Sequence, residues 1–237
     1  MNEKEITKHV HAFYDFIKKD SQHRYKSWEH CYAFFYEHHN RLCKADILDK
    51  AALHLGMYLA SWGMFRGSGG LLWKDYTIYK DLLVRVQPLL FKDEPKELSD
   101  VIGNFFNSVK VEKADKIHNP PENIEDIDIE KTEGKNIKPT ITLVSKIMLG
   151  LDASCTALDE YVCSGIEKSC KCKNFYQNPY TEIPNALAEV KKFYDEHKQE
   201  FDELQNDIQL ELDCGAQIPY PPIKLLDMYF FQIGERK

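Results

Sequence analysis

Gly56–Met57–Tyr58–Leu59–Ala60–Ser61–Trp62–Gly63–Met64–Phe65–Arg66–Gly67–Ser68–Gly69–Gly70 sets one arginine and a run of small residues into an otherwise apolar helical pattern. Upstream, Leu48, Ala52, Leu55, Tyr58, Leu59 and Trp62 recur at three- and four-residue steps and make a wide apolar stripe, which Asp46 is placed to cap. Each glycine inside a helix costs roughly 1 kcal/mol relative to alanine. So many small residues predict a break or kink at Gly67–Gly70, and a close approach to the backbone there by another helix or by a ligand.

The helical period extends outward in both directions. Ile6, Val10, Phe13, Phe16 and Ile17 predict a helix over Glu5–Lys19, and Ser27 is a plausible cap for a second one through Trp28, Cys31, Tyr32, Phe35 and His39. Further helices are expected over Leu71–Leu90, from Ser99 to Val109, from Pro139 to Gly150, over Cys155–Ile166, over Glu182–Leu212, and from Ile223 to Ile233 after the Pro219–Tyr220–Pro221–Pro222 stop. Between Lys113 and Lys138 the period dissolves into acids, paired prolines and a glycine, which reads as a connecting segment. The alternation Ile124, Ile127, Ile129 is compatible with a short strand there, but its charges favour a loop. The expectation is an all-α fold, an irregular helical globule of two lobes (1–112 and 139–237) joined through 113–138 and able to pack as a single domain.

Composition narrows the function classes. With 43% hydrophobic and 29% charged residues the chain has the balance of a globular protein. No apolar run approaches the roughly 20 residues of a spanning helix, and charges stand where a signal peptide would need its apolar stretch, so the expected location is cytoplasmic. The net charge of −7 is unevenly spread: residues 1–110 carry 16 Lys+Arg against 14 Asp+Glu, and the remainder 15 against 24. That balance disfavours generic affinity for nucleic acid, which depends on neutralising phosphates, and leaves room for a local basic groove. Seven cysteines without regular spacing read as free thiols.

The second informative stretch is Pro139–Val162, which puts Lys146 on one short helix and Asp159 near the start of the next, with a glycine-containing turn between. Leu143–Val144–Ser145–Lys146–Ile147–Met148–Leu149 followed by Ala157–Leu158–Asp159–Glu160–Tyr161–Val162 resembles the helix-hairpin-helix DNA glycosylase superfamily. The resemblance implies that Asp159 stabilises positive charge on a sugar or orients water, and that Lys146 serves as an amine nucleophile or a phosphate contact. It further implies a base taken out of the stack and held by aromatic residues such as Trp62, Phe65 or Trp73. The chain departs from that family in having Thr140–Ile141–Thr142 before the lysine instead of a Gly-x-Gly turn, in the shorter lysine–aspartate spacing, and in Thr156–Ala157 where a proline is usual. The blocks YLASWGMFRGS, TLVSKIMLG and Tyr220–Tyr229 also resemble a widespread bacterial family of helical proteins; that likeness implies a helical fold and brings no activity with it.

Arg66 has two readings: a fork for a phosphate or carboxylate, with Gly67, Ser68 and Gly69 as an anion nest, or a cation at a helix C-terminus before a glycine cap. Cys155, Cys163, Cys170 and Cys172 crowd four thiols into a short stretch, but Cys170–Lys171–Cys172 is too tight for the common zinc knuckle. Lys168, Lys171 and Lys173 are expected to lower the thiol pKa values. His30, His38, His39 and His54 lack the carboxylate-flanked pairing of a metalloprotease helix, so no metal or other cofactor is expected. Three functions follow. In the first the chain acts on a nucleobase glycosidic bond in DNA, with Lys146 and Asp159 at the chemistry and Arg66, Trp62, Ser68 and Trp73 on the substrate. In the second it is a non-enzymatic helical module for a protein partner. In the third it binds a small anion through the Arg66 loop.

Overall fold

A computed structural model of the chain describes residues 5–67, 71, 74–111, 135–170 and 182–235, and among these the fold is all-α. The helices are α1 (Glu5–Lys18), α2 (Ser27–His38), α3 (Ala45–Ser61), α4 (Met64–Gly67), α5 (Ile78–Val86), α6 (Pro95–Ser108), α7 (Ile141–Leu151), α8 (Glu160–Cys170), α9 (Glu182–Glu196), α10 (Lys198–Asp207) and α11 (Pro222–Glu235). Two small antiparallel ladders complete it: β1 (Lys110–Val111) with β2 (Lys135–Asn136), and β3 (Gln209–Glu211) with β4 (Gln217–Pro219).

The core is organised around α7, in which every residue from Leu143 to Leu151 is buried. It packs against α2, α3 and α6, so an element from the second half of the chain is enclosed by elements of the first. Trp28 Nε1 donates to Leu149 O at 2.8 Å, and the ring of Tyr58 lies where a Cβ on Gly150 would stand, 2.7 Å away. α11 packs on α1 on one side and on α8 on the other.

The α8–α11 crossing presses backbone against backbone. A Cβ at Gly165 would lie 1.9 Å from Phe230 O, and one at Gly234 would lie 1.8 Å from Tyr161 O. The relation is reciprocal: each helix sets a glycine against a backbone carbonyl of the other. No side chain fits between them, which is why both positions carry none.

Several boundaries differ from the expectation, each for a local reason. The α3 break falls at Trp62–Gly63, where Gly63 takes φ +73 and α4 follows, so it precedes Gly67–Gly70. Ala45 starts α3 with Asp46 in its first turn, and Ser27 is the first residue of α2, its Oγ buried and without a partner among the described residues. Asp75 Oδ1 takes the Thr77 amide at 2.8 Å in a turn that delays α5 to Ile78. Pro95, in the first turn of α6, starts that helix before Ser99. Glu182–Leu212 is not one helix. It breaks at His197, and Ile208, Leu210 and Leu212 alternate into the core as a strand. Leu204, Ile208 and Leu212 are also four apart, so the two periods coincide there. The acidic 113–138 segment is described only from 135, and the Ile124–Ile129 alternation lies outside the described residues.

Gly165→Ala is expected to lower stability by about 3 kcal/mol or more through backbone overpacking. Gly103→Ala in mid-α6, where nothing described lies within 4 Å of the new Cβ, is expected to raise it by about 0.5–1 kcal/mol. Urea unfolding midpoints of the two variants measure both.

Candidate functional site

Lys146 and Asp159 meet. Lys146 Nζ donates to Asp159 Oδ2 at 2.8 Å, with the lysine side chain 3% and the aspartate 20% exposed. Asp159 stands just before α8, where its Oδ1 takes the Val162 amide at 3.1 Å and its carbonyl takes that of Cys163 at 2.9 Å. It therefore caps α8, and the helix N-terminus favours its charge.

The loop carrying Asp159 is tied down at nearly every residue, which is why the helix expected from Cys155 begins only at Glu160. Ala153 takes φ +54, and Asp152 Oδ1 accepts the Ser154 amide at 3.0 Å. Burial holds the Asp152 carboxyl above its ordinary range. Two polar residues of α7 then grip Leu158: Thr142 Oγ1 donates to its carbonyl at 2.9 Å, and Ser145 Oγ accepts its amide at 2.8 Å. Asp227 of α11 reaches across to accept the Ala157 amide at 2.8 Å.

Asp227 belongs to a second buried pair. Lys224 Nζ donates to its Oδ2 at 2.8 Å, with both side chains at most 5% exposed. The two pairs share Trp62. Lys146 Nζ lies 4.2 Å from that ring's centre, and Lys224 Nζ lies 5.8 Å from it and 5.0 Å from the ring of Trp28. Tyr25 stacks on Trp62 at 4.5 Å and 9°. Tyr25, Lys146 and Lys224 thus all gather on the one indole. Such cation–π contacts partly replace the hydration that each ammonium gives up.

Polar groups without partners collect around this centre. Tyr58 Oη, Trp62 Nε1 and Thr156 Oγ1 are buried and make no hydrogen bond among the described residues. The Tyr58 phenol is pushed well above its ordinary pKa, first by burial and then by the nearby carboxylates of Asp227 and Asp159. Buried polar atoms left open are uncommon and mark places where water or a ligand group is accommodated.

Of the six residues singled out from sequence, Lys146, Asp159 and Trp62 come together. Within that cluster Trp62 lies under the Lys146 ammonium and against the Tyr25 ring. Arg66 lies on α4, one turn beyond Trp62, and its side chain, with Ser68 and Trp73, falls outside the described residues. Sequence reading passed over Lys224, Asp227, Tyr58 and Tyr25. The one signal for the first two was charge at positions i and i+3 inside the otherwise apolar Ile223–Phe231.

The thiols behave differently from expectation. Burial in the packed loop pushes the Cys155 thiol up, against the lowering expected from nearby lysines, and burial does the same to Cys31 on α2. Cys172 lies outside the described residues. No group of three or more potential metal ligands occurs among the described residues; His54 stacks on Phe34 at 4.4 Å, with His38 on the same ring at 4.6 Å.

No family model, curated protein or solved structure matches this chain.

Lys224→Met, which leaves Asp227 buried without its cation, is expected to cost about 3–5 kcal/mol. Adding Asp227→Asn, which keeps an acceptor for the Ala157 amide, is expected to return at least half of that loss. Chemical denaturation of wild type, both single variants and the double variant closes the cycle.

Proposed function

We propose that this protein acts on a nucleobase glycosidic bond in DNA, in the manner of a glycosylase, with Lys146 and Asp159 as its working pair. One observation carries the reading: an amine and a carboxylate 13 residues apart are brought to 2.8 Å at the N-terminus of a helix, over an indole, with the carboxylate the more exposed of the two. The alternative of a helical interaction module expects these two side chains to point apart.

The chemistry uses both groups. As the base departs with the electron pair of the glycosidic bond, positive charge grows on the sugar carbon, and the Asp159 carboxylate stabilises it electrostatically. Water then adds to that carbon and passes its proton to Asp159, while the leaving base gains a proton from solvent. In the amine route, Lys146 first hands its proton to Asp159 across their contact. The free amine adds to the sugar carbon as the base leaves with the bonding pair and takes a proton from solvent; the nitrogen then loses a second proton to solvent and its third to the ring oxygen as that oxygen's bond to the carbon breaks, which gives an imine. Arg66, Trp62, Ser68 and Trp73 are assigned to the substrate in this reading, with Arg66 on a phosphate.

The test is a panel of duplex oligonucleotides carrying uracil, oxidised and alkylated bases and an abasic site. Base release is expected on at least one member, falling about 10²–10³-fold in Asp159→Asn. Borohydride trapping of a protein–DNA adduct is expected to vanish in Lys146→Gln if the amine route operates. Folded protein that releases no base from any substrate overturns the proposal, as does activity undiminished in Asp159→Asn.

A further inference from the structure

A groove of about 490 Å³ lies between α1, the short turn Arg24–Lys26 and α11, and neither Lys146 nor Asp159 lines it. Its volume falls within the roughly 300–1,000 Å³ of small-molecule sites. Phe16, His23, Arg24 and Tyr25 line it from α1 and the turn, and Gln232 and Glu235 line it from α11. We propose that this groove binds a nucleotide, with the base stacked on Phe16 and the phosphate held by Arg24.

Each part of the groove has a counterpart in that ligand. Phe16 is a large apolar ring that lines the groove and is left 52% exposed, with the His23 ring at 73° to it and 4.9 Å away. A flat heteroaromatic ring covers such a face without any particular sequence of atoms, as bases do on aromatic platforms. Arg24 lies over Tyr25 with its guanidinium carbon 4.9 Å from the ring centre and donates one bond to the phenol oxygen at 3.1 Å. It makes no ion pair with the described residues, so most of its five N–H donors remain for a phosphate. The Nδ1 of His23 accepts the Tyr25 amide at 3.3 Å, which leaves Nε2 as the donor of the neutral ring.

The α11 lining reads the other end of the ligand. A carboxylate accepts two neighbouring N–H groups, the arrangement that guanine presents on its pairing edge, and Glu235 supplies that carboxylate with the Gln232 amide beside it. Arginine toward the phosphate and glutamate toward the base give the groove a charge pattern that fits a nucleotide end to end. An apolar peptide would leave both charges unanswered.

The groove's occupant can be a free nucleotide or a nucleotide within a single strand, and titration calorimetry with GMP and with a short oligo-dT strand holding one dG distinguishes the two. Saturable binding of either is expected, and the tighter of the two names the source. Phe16→Ala and Arg24→Gln are each expected to weaken it about tenfold or more. Both side chains are exposed, so unchanged melting temperatures confirm that the variants fold. Absence of binding by either probe at millimolar concentration, or binding undiminished in both variants, overturns the proposal. The readout needs no turnover, and neither residue touches Lys146 or Asp159, so failure here and failure of the glycosidic-bond reading are separate results.

Discussion

Hydration is the constraint around which this core is arranged. Moving an ammonium or a carboxylate out of water costs several kcal/mol even after the protein relaxes, and among the described residues Lys146, Lys224 and Asp227 are buried with Asp159 at their margin. The lysines answer that cost with a carboxylate at 2.8 Å and an indole beside it. The aspartates answer it with backbone amides: Asp159 takes Val162 at the start of α8, and Asp227 takes Ala157 in the loop before it. Satisfying the charges therefore fixes where α7, α8 and α11 stand relative to one another. A replacement of the whole cluster by apolar side chains of similar volume would remove the cost and, with it, this geometric bond between three helices.

The same arrangement explains what the sequence made legible. Helices with one buried stripe, such as α1 with Ile6, Val10, Phe13 and Ile17, stand out because solvent on the other face keeps the period clean. Lys146 and Asp159 drew attention as a lysine and an aspartate on either side of a predicted turn. Their meeting was not legible, because it depends on Thr142 and Ser145 holding Leu158 and on Asp227 reaching in from a helix some seventy positions away. Long-range hydrogen bonds of this kind leave no mark on local periodicity.

Two further features escaped for related reasons. The strand around Leu210 was hidden because a four-residue spacing and a two-residue alternation select the same apolar positions. The loop from Asp152 to Asp159 was hidden because its residues are as buried as those of a helix; Cys155, Ala157 and Leu158 are all in the core. Burial alone does not separate a packed loop from a packed helix. Here the distinction is made by side-chain acceptors, Asp152 and Asp227 among them, that take amides a helix would otherwise have used.

The glycine crossing of α8 and α11 has a meaning for kinship. Tyr161-x-x-x-Gly165 and Phe230-x-x-x-Gly234 each offer a carbonyl and a bare Cα to the other, so neither motif is useful without its partner. Most of a core can drift by exchanging one apolar side chain for another of similar volume. Backbone pressed against backbone has no such freedom. A distant chain that keeps both glycines, with Asp159 just before the first motif and Asp227 just before the second, would declare itself a relative by those few positions after overall likeness had faded.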